Sequence, residues 1–280
     1  VYKRQVSGSW DVTLRVWDPD NGETISVLKS HTDAVSSVAA LPNGHVVSGS
    51  EDKTLRVTDP DSGKTVRSLE GHAAGVWGLA VLPNGRMVSG SNDGTLRVWD
   101  SESGVILRTL HSRNNIMVRD QQCGGNQQTL SLRGLPDGRV VFRSKDGTLQ
   151  VWNPDNDECQ RTLYGHSGAV FRVVALPDGR VVSCSFDNTR RVWDPDSGET
   201  LRSLEGDPEG VTCAAALPDG RVVLGSSDKT LWIQDPESGK TMRILIGHTE
   251  KINCIAVLPD GRVVSGSDDK TLRICSLDSA

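Results

Sequence analysis

A single unit of 41 residues repeats along nearly the whole chain, and this periodicity limits the fold more tightly than any residue type does. The unit reads VVSGSxDxTLRVWDPDSGxTxRxLxGHxxxVxxxAxLPDGR. Its aspartate returns at Asp11, Asp52, Asp93, Asp146, Asp187, Asp228 and Asp269. The intervals are 41, 41, 53, 41, 41 and 41, so one 12-residue insertion interrupts an otherwise constant register. A unit this short cannot bury an apolar face alone, so consecutive units must share their cores.

Each unit contains four short strand signals separated by turn chemistry. VxxxAxL alternates apolar with small or polar residues, the period of a half-buried strand. LPDG or LPNG then supplies a turn with glycine available for a left-handed backbone. VVSGS forms a second strand and TLRVW a third, the latter rich in β-branched and aromatic residues. DPDSG turns the chain into TxRxL, the fourth. No segment shows helical periodicity with caps, so the chain is all-β.

Four strands per unit, closing near Gly-His and Trp-Asp, resemble the WD40-repeat family, whose units are blades of a β-propeller. The resemblance runs from Val6 to Ala280 and implies one seven-bladed propeller domain over 6–280, with strands a to d in each blade. On that frame the chain holds 26 strands where seven blades need 28. The first blade lacks strand a and the last lacks strand d, as expected of an N-terminally truncated propeller. Val1 to Gln5 stand where other units have LPDGRV and read as a non-native leader, resembling a translated sequencing adapter.

Composition narrows the function classes. Acidic residues number 36 against 31 basic, a formal net charge of −5, which argues against nucleic acid as a partner. No stretch approaches 18 consecutive apolar residues, so no membrane span is expected. The six cysteines have neither CxxC spacing nor a fixed place in the repeat, and so read as free thiols of an intracellular, cytoplasmic protein. No cofactor and no metal site is expected. The DPDSG loops resemble calcium loops only superficially: in the first, Lys29 occupies the position of the required bidentate Glu.

Ser, His and Asp recur together, so a hydrolase triad has to be weighed. Complete sets are His72, Ser89, Asp93 with Trp99, and His166, Ser183, Asp187 with Trp193. The family resemblance implies that they are structural tetrads tying the strands of a blade. A hydrolase needs one activated serine, not a set stamped out at fixed intervals, so no enzyme is expected. The set is broken where Thr58, Gln234 and Cys275 replace Trp, where Asp207 replaces His, and where Phe142 replaces Ser. Blades four and six are thus expected to be the weakest.

The resemblance also places three residues per blade around the narrow face. Among them, Trp10, Glu51, Trp77, Asn92, Lys145, Phe171, Phe186, Lys251 and Asp268 are the candidates for partner binding. Aromatics beside charges on a rigid rim are typical protein-binding hot spots. The insertion from His111 to Gln128 belongs to the same side, either extending that surface or only tolerated there. The expected function is a non-enzymatic, monomeric scaffold that holds a peptide or protein segment. The alternative is a recognition module of a larger protein, such as a ubiquitin-ligase adaptor or a signalling ATPase or kinase.

Overall fold

The computed structural model describes residues 4–111, 131–144, 147–156, 158–205 and 210–277, and all helix and strand structure among them is strand. Two compact units emerge, Val1–Val140 with Trp152–Glu158 and Val141–Val151 with Cys159–Ala280. The first contains a three-stranded sheet of β1 (Gln5–Gly8), β2 (Leu14–Trp17) and β3 (Thr24–Leu28). It continues with β4 (Val35–Ala40), β5 (Val46–Ser50), β6 (Leu55–Thr58) and β7 (Thr65–Leu69), and then β8 (Val76–Val81), β9 (Met87–Ser91), β10 (Thr95–Trp99) and β11 (Ile106–His111). The dividing line falls within the next sheet, of β12 (Leu132–Gly134), β13 (Val140–Arg143), β14 (Leu149–Asn153) and β15 (Glu158–Leu163).

The second unit continues with β16 (Val170–Ala175), β17 (Val181–Ser185), β18 (Thr189–Trp193) and β19 (Thr200–Glu205). After these come β20 (Val211–Ala216), β21 (Val222–Ser226), β22 (Thr230–Gln234) and β23 (Thr241–Ile246), and last a three-stranded sheet of β24 (Ile252–Val257), β25 (Val263–Ser267) and β26 (Leu272–Cys275). Seven sheets result, one per repeat, each with its strands in chain order. The first strand begins at Gln5, opposite Trp17, the position that Val46 holds opposite Thr58 one period later, so Gln5 of the expected leader is part of the strand.

The turns explain why the order is so regular. In the LPNG turn, Leu41 C=O accepts from Gly44 N–H at 2.9 Å while Asn43 Oδ1 accepts from His45 N–H at 3.1 Å, with Gly44 at φ 86°. In the DPDSG turn, the Asp59 carboxylate accepts from Asp61 N–H at 2.9 Å and from the Ser62 hydroxyl at 2.7 Å, so it organises its own hairpin. Between the second and third strands the chain needs one left-handed residue. Gly94 meets this with φ 80°, but Lys53, Asn188, Lys229, Lys270 and Val12 do so without being glycine.

Cores form between consecutive sheets, as the length of the unit requires. Leu41, Val47, Leu55, Val57 and Leu69 of one repeat pack with Val76, Met87 and Trp99 of the next. The same arrangement joins Val174, Val182 and Val192 to Val211, Val222 and Leu224. Burial of apolar surface at about 25 cal/mol per Å² makes these shared layers the main stabilising term.

Candidate functional site

The Ser-His-Asp sets do assemble, four times. His72 Nε2 lies 2.7 Å from Ser89 Oγ and His72 Nδ1 lies 2.9 Å from Asp93 Oδ2, while Trp99 Nε1–H donates to Ser89 Oγ at 2.7 Å. The His166 set repeats this, with Trp193 Nε1–H on Ser183 Oγ at 2.7 Å. The ionised carboxylate can only accept, so the neutral imidazole carries its proton on Nδ1, and Nε2 accepts from the serine hydroxyl. His31, Ser48 and Asp52 form a third set, and His248, Ser265 and Asp269 a fourth, both without the indole.

A fifth member, absent from the sequence expectation, completes each network. Thr95 Oγ1–H donates to Asp93 Oδ1 at 2.6 Å and lies 3.3 Å from His72 Nδ1. Thr54, Thr189 and Thr271 do the same in their repeats. The signal was present as the Asp-x-Thr spacing shared by every unit.

The electrostatics follow from this packing. Burial holds the His31, His72 and His166 imidazoles below their ordinary pKa, against the opposing pull of their aspartates. Burial alone would raise Asp93, but the Thr95 hydroxyl, the Ala73 N–H and His72 outweigh it and bring the carboxyl down to about 2. Asp52 falls to about 2 in the same way. The geometry matches a hydrolase relay, but Ser89 and Ser183 are each 0% exposed, so no substrate carbonyl can reach either oxygen.

Broken sets are filled in different ways. With Phe142 in the serine position, the buried Trp152 indole N–H has no acceptor among the described residues, and the buried Thr58 hydroxyl likewise has no partner among them. In the sixth repeat Leu224 takes the serine position, and Gln234, in place of Trp, accepts a hydrogen bond from Arg190. Arg190 itself stands where six other repeats have Leu, so two departures from the repeat meet across adjacent sheets. Asp207 lies outside the described residues.

Within single repeats, predicted narrow-face positions are paired by backbone hydrogen bonds. The residue before each turn aspartate donates its N–H to the residue before the first strand: Glu51 to Ala34, Asn92 to Gly75, Phe186 to Ala169 and Asp268 to Lys251, each at 3.0 Å. A bulge at the start of β4, β8, β16, β20 and β24 re-aims the second strand residue, which is Ser36, Trp77, Phe171, Thr212 or Asn253. Trp10 stands 57% exposed, and Phe186 53%. Phe171 and Phe186 touch, with ring centroids 4.9 Å apart at 49°.

Trp77 corrects the expectation of an exposed ring, being only 3% exposed. Its Nε1 lies 3.3 Å from where a Cβ on Gly75 would sit, so the missing side chain at Gly75 opens the slot that the indole occupies. Asn92 and Glu51 are half-buried, as is Lys251, whereas Asp268 is exposed and accepts from Asn253 Nδ2. Lys145 and residues 112–128 of the insertion lie outside the described residues. Among the described residues no group of three or more His, Cys, Asp or Glu could hold a metal ion, and no helix is long and apolar enough to cross a membrane.

The family model described as WD domain, G-beta repeat matches residues 22–59, 63–100, 157–194, 198–235 and 239–276. These five stretches cover well over half of the chain, and each spans the fourth strand of one repeat and the first three of the next. A search among curated proteins finds no match. The first two strands of the opening sheet and the first three of the sheet after the insertion lie outside the matched stretches, although each set forms a sheet with the matched strand that follows it. The chain belongs to the WD-repeat family, and its seven sheets are the blades of an all-β propeller of the kind that generally serves as a protein-interaction scaffold.

Proposed function

We propose that this propeller is a non-enzymatic scaffold that binds an extended peptide or protein segment on its narrow face, with the Phe171–Phe186 pair of the second unit as the anchor. The observation that carries the reading is the exposure of Phe186 on a turn held from three sides. Its N–H is bonded to Ala169 C=O, the Ser185 hydroxyl to Gly168 C=O at 2.9 Å, and the Asp187 carboxylate to Thr189 and His166. Phe171 is backed by the apolar layer between the fifth and sixth sheets. An exposed Phe186 braced by a half-buried Phe171 is fixed before binding and costs little entropy, which is the physical basis of a hot spot. Lys251, Asn253 and Asp268 supply polar partners in the last repeat.

The partner is a protein, not a nucleic acid or a membrane, in keeping with the net charge of −5. Six cysteines without a framework spacing favour an intracellular setting, and the same surface would serve equally as the recognition module of a larger adaptor or signalling protein. Peptides selected against the chain from a random display library test the reading. Phe186→Ala is expected to weaken their binding at least tenfold, with a melting temperature within about 2 °C of the parent. Equal binding to the variant would exclude the aromatic anchor.

A further inference from the structure

On the face of each sheet that carries the tetrad, one ladder of paired side chains crosses the second, third and fourth strands. It reads Ser48–Arg56–Ser68 in the second repeat, Ser89–Arg97–Thr109 in the third and Ser183–Arg191–Ser203 in the fifth. In the sixth it reads Leu224–Trp232–Ile244. A polar ladder has become apolar from core to solvent, with Leu224 fully buried and the Trp232 indole N–H turned onto Thr230 Oγ1 at 2.7 Å.

The strand that ends this ladder, β23, is the terminal strand of its sheet. Met242, Ile244 and Ile246 alternate along it at 57%, 45% and 84% exposure. The corresponding residues of the second repeat are Val66, Ser68 and Glu70, and no other repeat has three apolar side chains there. An exposed apolar edge strand is a template for pairing, and sequences normally guard such edges with charge.

We propose that β23 is a self-association site, at which two copies of this chain pair edge to edge and antiparallel about a two-fold axis at Ile244. An antiparallel strand paired with itself is isologous, so one copy of a six-residue strand provides its own complement. This register sets Met242 against Ile246, Ile244 against Ile244, and Arg243 against Leu245, with no like charges opposed. The flanks agree with it. In this register exposed Glu237, ahead of the strand, falls opposite half-buried Lys251, which follows it on the other copy. In-register parallel pairing would instead set each of these charges against its own kind. An interface this small is weak, so the dimer forms in the micromolar range or above, in place of the monomer that the repeats suggest.

Sedimentation velocity over a concentration series, on the full chain, tests this. The expected result is a shift from 30.2 kDa toward twice that mass, at least tenfold weaker in Ile246→Lys and unchanged in Val66→Lys, which alters an outer strand of another sheet. Cross-linking reads the register: Met242→Cys mixed with Ile246→Cys gives an oxidised dimer that neither variant yields alone. A single 30.2 kDa species at several hundred micromolar would overturn the proposal. So would a dimer indifferent to Ile246→Lys, or a strand that captures only foreign peptides. Failure of both Ile246→Lys and Ile246→Thr to fold would show a core strand instead of a surface, and would overturn it equally.

Discussion

Val12 carries a local cost that the rest of the repeat avoids. Its backbone sits at φ 65°, where a β-branched side chain is strained by about 1–2 kcal/mol, while the matching positions hold Gly, Asn or Lys. Val12→Asn copies the residue that occupies this turn at Asn188, with φ 61°. It is expected to raise stability by about 1 kcal/mol, read as a melting temperature higher by roughly 2–3 °C. An unchanged or lower melting temperature would show that contacts of the valine side chain outweigh its strain. The tetrads show the opposite: each polar atom of the His72 set has a partner, and Trp152, lacking the serine, has none among the described residues. An unsatisfied buried donor costs about 1–3 kcal/mol, so the fourth sheet loses part of what the third gains.

Between elements, the Arg190–Gln234 bond joins the fifth and sixth sheets where other repeats bring Leu and Trp or their replacements. Arg190→Leu or Gln234→Leu alone is expected to destabilise by about 1–3 kcal/mol, because each removes one partner of a buried polar contact. The double variant is expected to cost less than the sum by at least about 1 kcal/mol in chemical denaturation, whereas strict additivity would mean that the two side chains do not interact energetically. This contact was invisible in the sequence because it depends on which units are neighbours. The strands and turns were legible, since Leu-Pro-Asn-Gly or Asp-Pro-Asp-Ser-Gly fixes its hairpin through bonds spanning only a few residues. The threonine of Asp-x-Thr is equally legible, since every unit carries it at the same spacing. The burial of Trp77 was not readable as such: it rests on the space over Gly75, a property of packing rather than of spacing.

At the scale of the whole molecule, the tetrads make stability depend on pH in a set order. His31, His72 and His166 have folded pKa values below the usual 6.5, so the unfolded chain binds protons first as the pH falls. Their contribution is complete above about 6.5 and is lost as the pH drops through the folded values. The aspartates add a second loss, beginning near 3.8 and running to about 2 for Asp52 and Asp93. Melting temperatures measured from pH 7.5 to 4 are expected to fall progressively below pH 6.5, and a flat profile to pH 5 would contradict buried neutral imidazoles. The Arg190–Gln234 pair has a consequence of another kind. Units as alike as these are exposed to recombination, which deletes or adds one period while leaving the reading frame and the strand register intact. Most junctions would survive such an exchange, because one Leu replaces another. Deleting the sixth repeat would set the Arg190 guanidinium against Cys275, and deleting the fifth would leave Gln234 against Leu149, so either exchange at this junction strands a buried polar group.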